Sequence, residues 1–262
     1  MAREARARFP FSAVGLALAL VVSGALAYAQ STPPALPNMG QDLTPQGPNG
    51  PQGAQLVTLK PGPPLPATWE AGQAVSSVVS PDHKTMLVLT SGFNRYYISD
   101  IQPPPTVPAW DLPLSNDYVF IYDISTPTPI QKQVVQFPVT YNGIVFDPSG
   151  SAFYVAGCAA DAIFIVNWNA TTGTWPAGPG AALALGHNNR GNGLNLTPNG
   201  ATAINSQVGV YPCAAGLAIS NDGKTLVAAN YYNDSITVFT GGLGHWSKGV
   251  ELDLRPDRKS VV

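Results

Sequence analysis

The stretch Ala214–Phe239, AAGLAISNDGKTLVAANYYNDSITVF, reads as three short strands joined by two reverse turns. Gly216–Ser220 is the first predicted strand. Asn221-Asp222-Gly223-Lys224 follows as a turn, because Asp-Gly accepts the positive φ that a short hairpin demands. Thr225–Ala229, rich in β-branched and small apolar residues, is the second strand. Tyr231-Tyr232-Asn233-Asp234 turns the chain again, and Ser235–Thr240 returns with Ile236 and Val238 alternating against polar neighbours. One such sheet cannot cover its own two faces, so the pattern predicts copies of itself.

Two copies precede it. In Ala74–Arg95, AVSSVVSPDHKTMLVLTSGFNR, Ser80-Pro81-Asp82-His83-Lys84 stands where Ser220-Asn221-Asp222-Gly223-Lys224 stands later. Its third strand, Tyr118–Asp123, is delayed by an insertion, and Gln131–Phe137 is its fourth. The second copy runs from Tyr141, with predicted strands Gly143–Phe146, Ala152–Ala156, Ala162–Asn167 and Ala181–Leu185. Val250–Leu254 completes the third. The turns at Asp82, Ser149 and Asp222 are 67 and 73 residues apart. Without its insertions, each unit shrinks to about 40 residues and four strands, the period of a propeller blade. An immunoglobulin-like sandwich would explain the alternation but not three copies of one turn-strand-turn pattern. The predicted fold is therefore all-β: a β-propeller of four-stranded antiparallel blades, about three of them, at 74–137, 141–185 and 214–254.

The rest of the chain sets the context. Arg3, Arg6 and Arg8 precede the apolar run Phe11–Leu26, and Ala27-Tyr28-Ala29 has the small-x-small form of a cleavage site. Residues 1–29 thus read as a signal peptide, which predicts a periplasmic or secreted product with no membrane attachment after cleavage. Its removal takes three Arg and one Glu and moves the formal charge from −2 to −4. No basic patch remains to track phosphates, which excludes nucleic acid as a partner. Residues 30–53 are rich in Pro, Gly, Gln and Asn and read as a flexible segment. Residues 257–262 form a short tail.

The quoted repeats, with NGIVFDPSG at 142–150, resemble the bacterial YncE-type, or YVTN-repeat, β-propellers. The similarity is greatest to the exported propeller at the front of bifunctional YncE/alkaline-phosphatase-family proteins, and it spans residues 54–256. The resemblance implies a seven-bladed ring, of which three blades are visible here, and it implies that the phosphoesterase domain of the bifunctional relatives is missing. On this reading Gln55–Leu59 is a ring-closing strand, and the chain is the front part of a longer protein. An open arc would expose two blade faces and forgo on the order of 10 kcal/mol of burial. Self-association through those open edges is expected.

Strand order distributes the connections between two rims. The tight turns at Asp82, Ser149 and Asp222 share one rim and read as structural. The 93–117 insertion, the Cys158–Asp161 turn, the 186–212 loop and the Tyr231–Asp234 turn share the other. Long loops more often carry function, so the ligand contacts are expected there: Asn94, Arg95, His187, Asn188, Arg190, Tyr231, Tyr232, Asn233 and Asp234. Cys158 and Cys213 fall on the same rim of adjacent blades and are a candidate disulfide in an oxidising compartment. His83, His187 and His245 lack metal-ligand spacing, so no metal is expected. No nucleophile motif, phosphate-cradling loop or other cofactor signature appears, and no catalytic residue is assigned. The reading that follows is a non-catalytic scaffold for an unknown small ligand or protein domain. Two alternatives stand beside it: a lactonase-like or redox-related propeller enzyme, and a truncated product without independent function.

Overall fold

The computed structural model describes residues 57–92, 94–96, 111, 113–186, 213–231 and 234–254. Among these residues there is no helix. Twelve strands form three four-stranded antiparallel sheets, each a simple meander. Blade 1 comprises β1 (Ala74–Val79), β2 (Thr85–Thr90), β3 (Asp117–Asp123) and β4 (Ile130–Phe137). Blade 2 comprises β5 (Ile144–Phe146), β6 (Ala152–Ala156), β7 (Ala162–Asn167) and β8 (Ala181–Ala184). Blade 3 comprises β9 (Ala214–Ile219), β10 (Thr225–Asn230), β11 (Ser235–Thr240) and β12 (Ser247–Asp253). The first strands of successive blades are neighbours, β1 beside β5 and β5 beside β9. Sheets that fan out from adjacent first strands define a partial β-propeller.

Two cores lie between the blades. Leu87, Leu89, Val119, Ile121, Val135 and Phe137 of blade 1 meet Phe146, Phe153, Val155, Phe164 and Val166 of blade 2. Tyr154, Ala156, Ile163 and Ile165 on the other face of blade 2 meet Leu226, Ala228 and Phe239 of blade 3. Blade 2 is therefore apolar on both faces, and β6 is buried along its whole length. A sheet covered on both sides loses the in-out alternation of a half-exposed strand.

Of the expected ring-closing strand, Leu59 makes an isolated bridge to Ala71, and Gln55 and Leu56 lie outside the described residues. Moreover, the outer face of blade 1 is covered. Leu59, Leu65, Trp69 and Ala71 pack over Tyr118, Phe120, Tyr122, Met86 and Val88, and the Trp69 ring meets Tyr118 edge-on at 6.0 Å. Apolar side chains in a Pro-rich segment bury themselves on the nearest open sheet. Among the described residues one blade face, that of blade 3, is left uncovered rather than two. The stretches read as a signal peptide (1–29), a flexible segment (30–53) and a tail (257–262) fall outside the described residues.

The three tight turns repeat in atomic detail. In blade 1 the Ser80 hydroxyl donates to Asp82 Oδ1 at 2.6 Å, and Asp82 Oδ1 accepts from the Lys84 N–H at 3.1 Å. Blade 3 has the same pair, Ser220 to Asp222 at 2.6 Å and Lys224 N–H to Asp222 at 3.0 Å. In blade 2 the roles move, and Asp147 accepts from the Ser149 N–H at 2.9 Å. Each turn needs one residue at positive φ: Gly150 at 74°, Gly223 at 68° and, in blade 1, His83 at 59°.

Candidate functional site

Among the described residues of the loop-rich rim, where ligand contacts were expected, several polar groups are engaged by the protein's own groups. Asp117, 4% exposed at the start of β3, accepts from the Thr140 N–H at 2.8 Å and the Thr140 hydroxyl at 3.2 Å. Its other oxygen accepts from Asn94 Nδ2 at 3.3 Å. Asn94 also donates to Thr90 Oγ1 and accepts from the Gly72 N–H at 2.8 Å. Burial raises the Asp117 pKa above its ordinary value, and the hydrogen bonds from Thr140 and Asn94 only partly offset it. Asn94 is thus a buried tie between the blade and its insertion. Its side chain faces inward because the carboxylate it serves is there.

Three of the remaining expected contacts are described, on two different blades. Arg95 is half-buried on blade 1, while Tyr231 and Asp234 are exposed on blade 3, with blade 2 between. Tyr231 lies 5.9 Å, ring to ring, from Tyr141. His187, Asn188, Arg190, Tyr232 and Asn233 lie outside the described residues. Cys158 and Cys213 are joined as a disulfide, and the Cys158 N–H donates to the Ala214 carbonyl at 3.2 Å. The covalent link ties the β6–β7 turn of blade 2 to the start of β9 in blade 3.

The opposite rim, read as structural, contains the groove. Two adjoining cavities of about 470 and 480 Å³ share Asp82, Thr85, Trp168 and Trp175. The β7–β8 connection makes one wall. Asn169 Oδ1 accepts from the N–H groups of Thr171 and Thr172, which curls the loop and brings Trp168 and Trp175 together edge-on at 5.1 Å. Trp175 is seated on Phe153 at 5.0 Å and is only 8% exposed, whereas Trp168 is 40% exposed. Gln133 of blade 1 holds the Trp175 backbone from both sides. Its Oε1 accepts from the Trp175 N–H at 3.0 Å and its Nε2 donates to the Trp175 carbonyl. The loop is thereby fixed across the blade boundary.

Charge sits on the other wall. Asp82, Lys84, Asp123, Ser125 and Lys132 line the larger cavity. Hydrogen bonds from the Ser80 hydroxyl and Lys84 N–H hold the Asp82 carboxyl below its ordinary pKa, and the Ser125 hydroxyl and N–H do the same for Asp123. Lys132 lies 3.5 Å from Asp123. The groove therefore offers an aromatic platform, two ionised carboxylates and two ammonium groups. By contrast β1, β5 and β9, the strands nearest the propeller axis, carry no titratable side chain. Among the described residues no cluster of His, Cys, Asp or Glu is arranged to hold a metal. The sequence signal for the groove was Trp168-Asn169 and Thr174-Trp175 bracketing a short turn.

No family model matches the chain, and no curated protein matches it either. Solved structures do resemble it. The periplasmic gluconolactonase of Pseudomonas aeruginosa is 16% identical, with a TM-score of 0.45 over 72% of this chain and 45% of that one. A Bacteroides uniformis protein with a provisional 6-phosphogluconolactonase assignment is 13% identical, at a TM-score of 0.44 over 72% and 46%. A Bacteroides fragilis protein with the same provisional assignment is 14% identical, at 0.42 over 68% and 38%. The chain spans less than half the length of each. Likeness this distant concerns the fold alone. It does correct one expectation. The non-catalytic scaffold reading rested on blades without a catalytic motif, and lactonase names stand among proteins built of such blades.

Proposed function

We propose that this chain is a lactonase-like propeller that opens cyclic esters of sugar acids. The observation that carries the reading is the groove in which exposed Trp168 faces Asp82, Asp123, Lys84 and Lys132. An exposed indole offers an apolar face to the C–H surface of a sugar ring, and polar groups at the border take its hydroxyls. Opening a lactone requires water to add to the ring carbonyl, the carbon–oxygen bond to break, and the ring oxygen to gain a proton. A groove carboxylate, Asp82 or Asp123, takes the proton from water, and an ammonium group stabilises the oxyanion as it forms. The blade repeats support a YncE-type lineage, and Arg3, Arg6, Arg8 and the apolar run Phe11–Leu26 support export to the periplasm or beyond.

The test is hydrolysis of D-glucono-1,5-lactone by the purified chain, read as acid release above the spontaneous rate. Turnover is expected, and Asp82→Asn and Asp123→Asn are expected to reduce it by about tenfold or more. A folded chain that leaves a panel of aldonolactones at the spontaneous rate overturns the reading.

A further inference from the structure

The groove on the tight-turn rim is two cavities rather than one, and their linings differ. Each alone, at about 470 and 480 Å³, is within the usual size of a small-ligand pocket, about 300–1,000 Å³. Asp82, Thr85, Trp168 and Trp175 border both. Beyond that shared border, Lys84, Asp123, Ser125 and Lys132 line one cavity, which is strongly charged. Pro81, Phe146, Ser149 and Gly150 line the other, where among the described residues Asp82 is the one charged group. The junction is held across the blade boundary, since Gln133 accepts from the Trp175 N–H at 3.0 Å and donates to the Trp175 carbonyl. The two cavities therefore keep a fixed spacing, which lowers the ordering cost of a ligand that fills both.

We infer that the groove takes a two-ring substrate, an aldonolactone carrying an uncharged glycosyl substituent. The lactone ring sits in the charged cavity and the glycosyl ring in the neutral one. This rests on the lactonase reading above and names its substrate class. That reading sets the ring opening beside Asp82 or Asp123 and the Lys84 and Lys132 ammonium groups, which fixes the place of the lactone ring. A single pyranose ring there leaves the second cavity unused. The second lining suits a neutral sugar: Trp168, Trp175 and Phe146 present aromatic surface to ring C–H groups, and Asp82 and Ser149 accept from hydroxyls. A phosphate or carboxylate in the same place would meet the Asp82 carboxylate and no described cation. Exposed Trp168 borders both cavities, so one indole serves the two rings where they join. The glycosyl ring takes no part in the chemistry. The lactone carbon–oxygen bond breaks, water supplies the hydroxyl and the proton, and the glycosidic bond stays intact. Contacts to the second ring contribute binding that a one-ring substrate lacks.

Hydrolysis of D-cellobiono-1,5-lactone and D-glucono-1,5-lactone by the full chain, compared as kcat/KM, tests it. The two-ring lactone is expected to be favoured about tenfold or more. Ser149→Trp, which puts an indole into the neutral cavity from an exposed turn position, is expected to cut that preference about tenfold. Calorimetric titration with the hydrolysed acids, cellobionate and gluconate, reads the same difference without turnover. If no lactone is opened while cellobionate binds about tenfold tighter than gluconate, the hydrolytic reading fails and the two-ring occupancy stands. Equal or better use of the one-ring lactone overturns the inference and leaves the hydrolytic reading in place. Equal binding of the two acids by a chain inactive on both lactones overturns both. A two-ring preference that Ser149→Trp leaves unchanged also overturns the inference, because the second ring then lies elsewhere.

Discussion

The two rims of the propeller differ in a way that loop length does not convey. The loop-rich rim has the long connections, the disulfide and most of the unusual backbone: Gln73, Cys158, Asp161, Cys213 and Asp234 all have positive φ there. Several of its described polar groups are nevertheless spent on one another, as the Asp117–Asn94–Thr140–Thr90 network illustrates. The tight-turn rim has short, repeated connections, yet it holds the groove with exposed Trp168 and the charged wall. Irregular backbone must satisfy its own hydrogen bonds and consumes nearby side chains in doing so. Regular turns satisfy themselves locally and leave neighbouring side chains free to face outward.

That contrast predicts that changes on the loop-rich rim cost stability, while changes on the groove rim cost function. The largest effect is expected from the disulfide. Its cysteines are 55 residues apart, and loop-closure entropy gives about 4 kcal/mol for a link of that span. Denaturant titration of a Cys158→Ala, Cys213→Ala variant against the oxidised chain measures it; no loss would break the comparison at its strongest point. Asp117→Ala comes next. It leaves the Thr140 N–H and Asn94 amide without their acceptor, at about 2–3 kcal/mol.

Asp117 also has a pH signature. Its folded pKa is raised, so the folded state holds the proton more tightly than the unfolded one. Its contribution to stability falls as pH rises from its ordinary value of 3.8 through the raised folded value. Asp82, Asp123 and Asp222 are lowered, and their contributions run the other way, present above 3.8 and lost as pH falls through the folded values. Stability measured against pH for Asp117→Asn should lack the descending component alone.

On the groove rim, Trp168→Ala should change stability by less than about 1 kcal/mol while lactone turnover falls about tenfold. A loss of stability without loss of turnover would reverse the assignment of the rims. The smallest effect belongs to His83. Its φ of 59° matches Gly150 and Gly223, so His83→Gly should raise the melting temperature slightly, by the equivalent of about 0.5 kcal/mol.

Particular residues show what was legible in advance. Strands β6, β7 and β11 carry the bounds expected from alternation and turn residues. Edges moved where tertiary context intervened. In β1 and β9 a bulge leaves Val75 and Ala215 out of register against β2 and β10, a displacement of the kind that enters where a strand bends. The candidate contacts were read from loop length, which carries no information on which side chains are already hydrogen-bonded. Asn94 shows the consequence on one rim, and Trp168 shows it on the other.

Sequence alone determined the repeat: four-stranded antiparallel units, their tight turns and the three of them seen among the described residues. Those features depend on local φ/ψ preference and alternation, which neighbouring residues decide among themselves. Only the tertiary structure decided which faces are covered and which side chains remain available. The packing of Leu59–Ala71 over blade 1 and the Trp168 groove each arise from contact between segments distant in the chain. Residues far apart in sequence compete for the same apolar surface and the same hydrogen bonds, and that competition is resolved only when they meet.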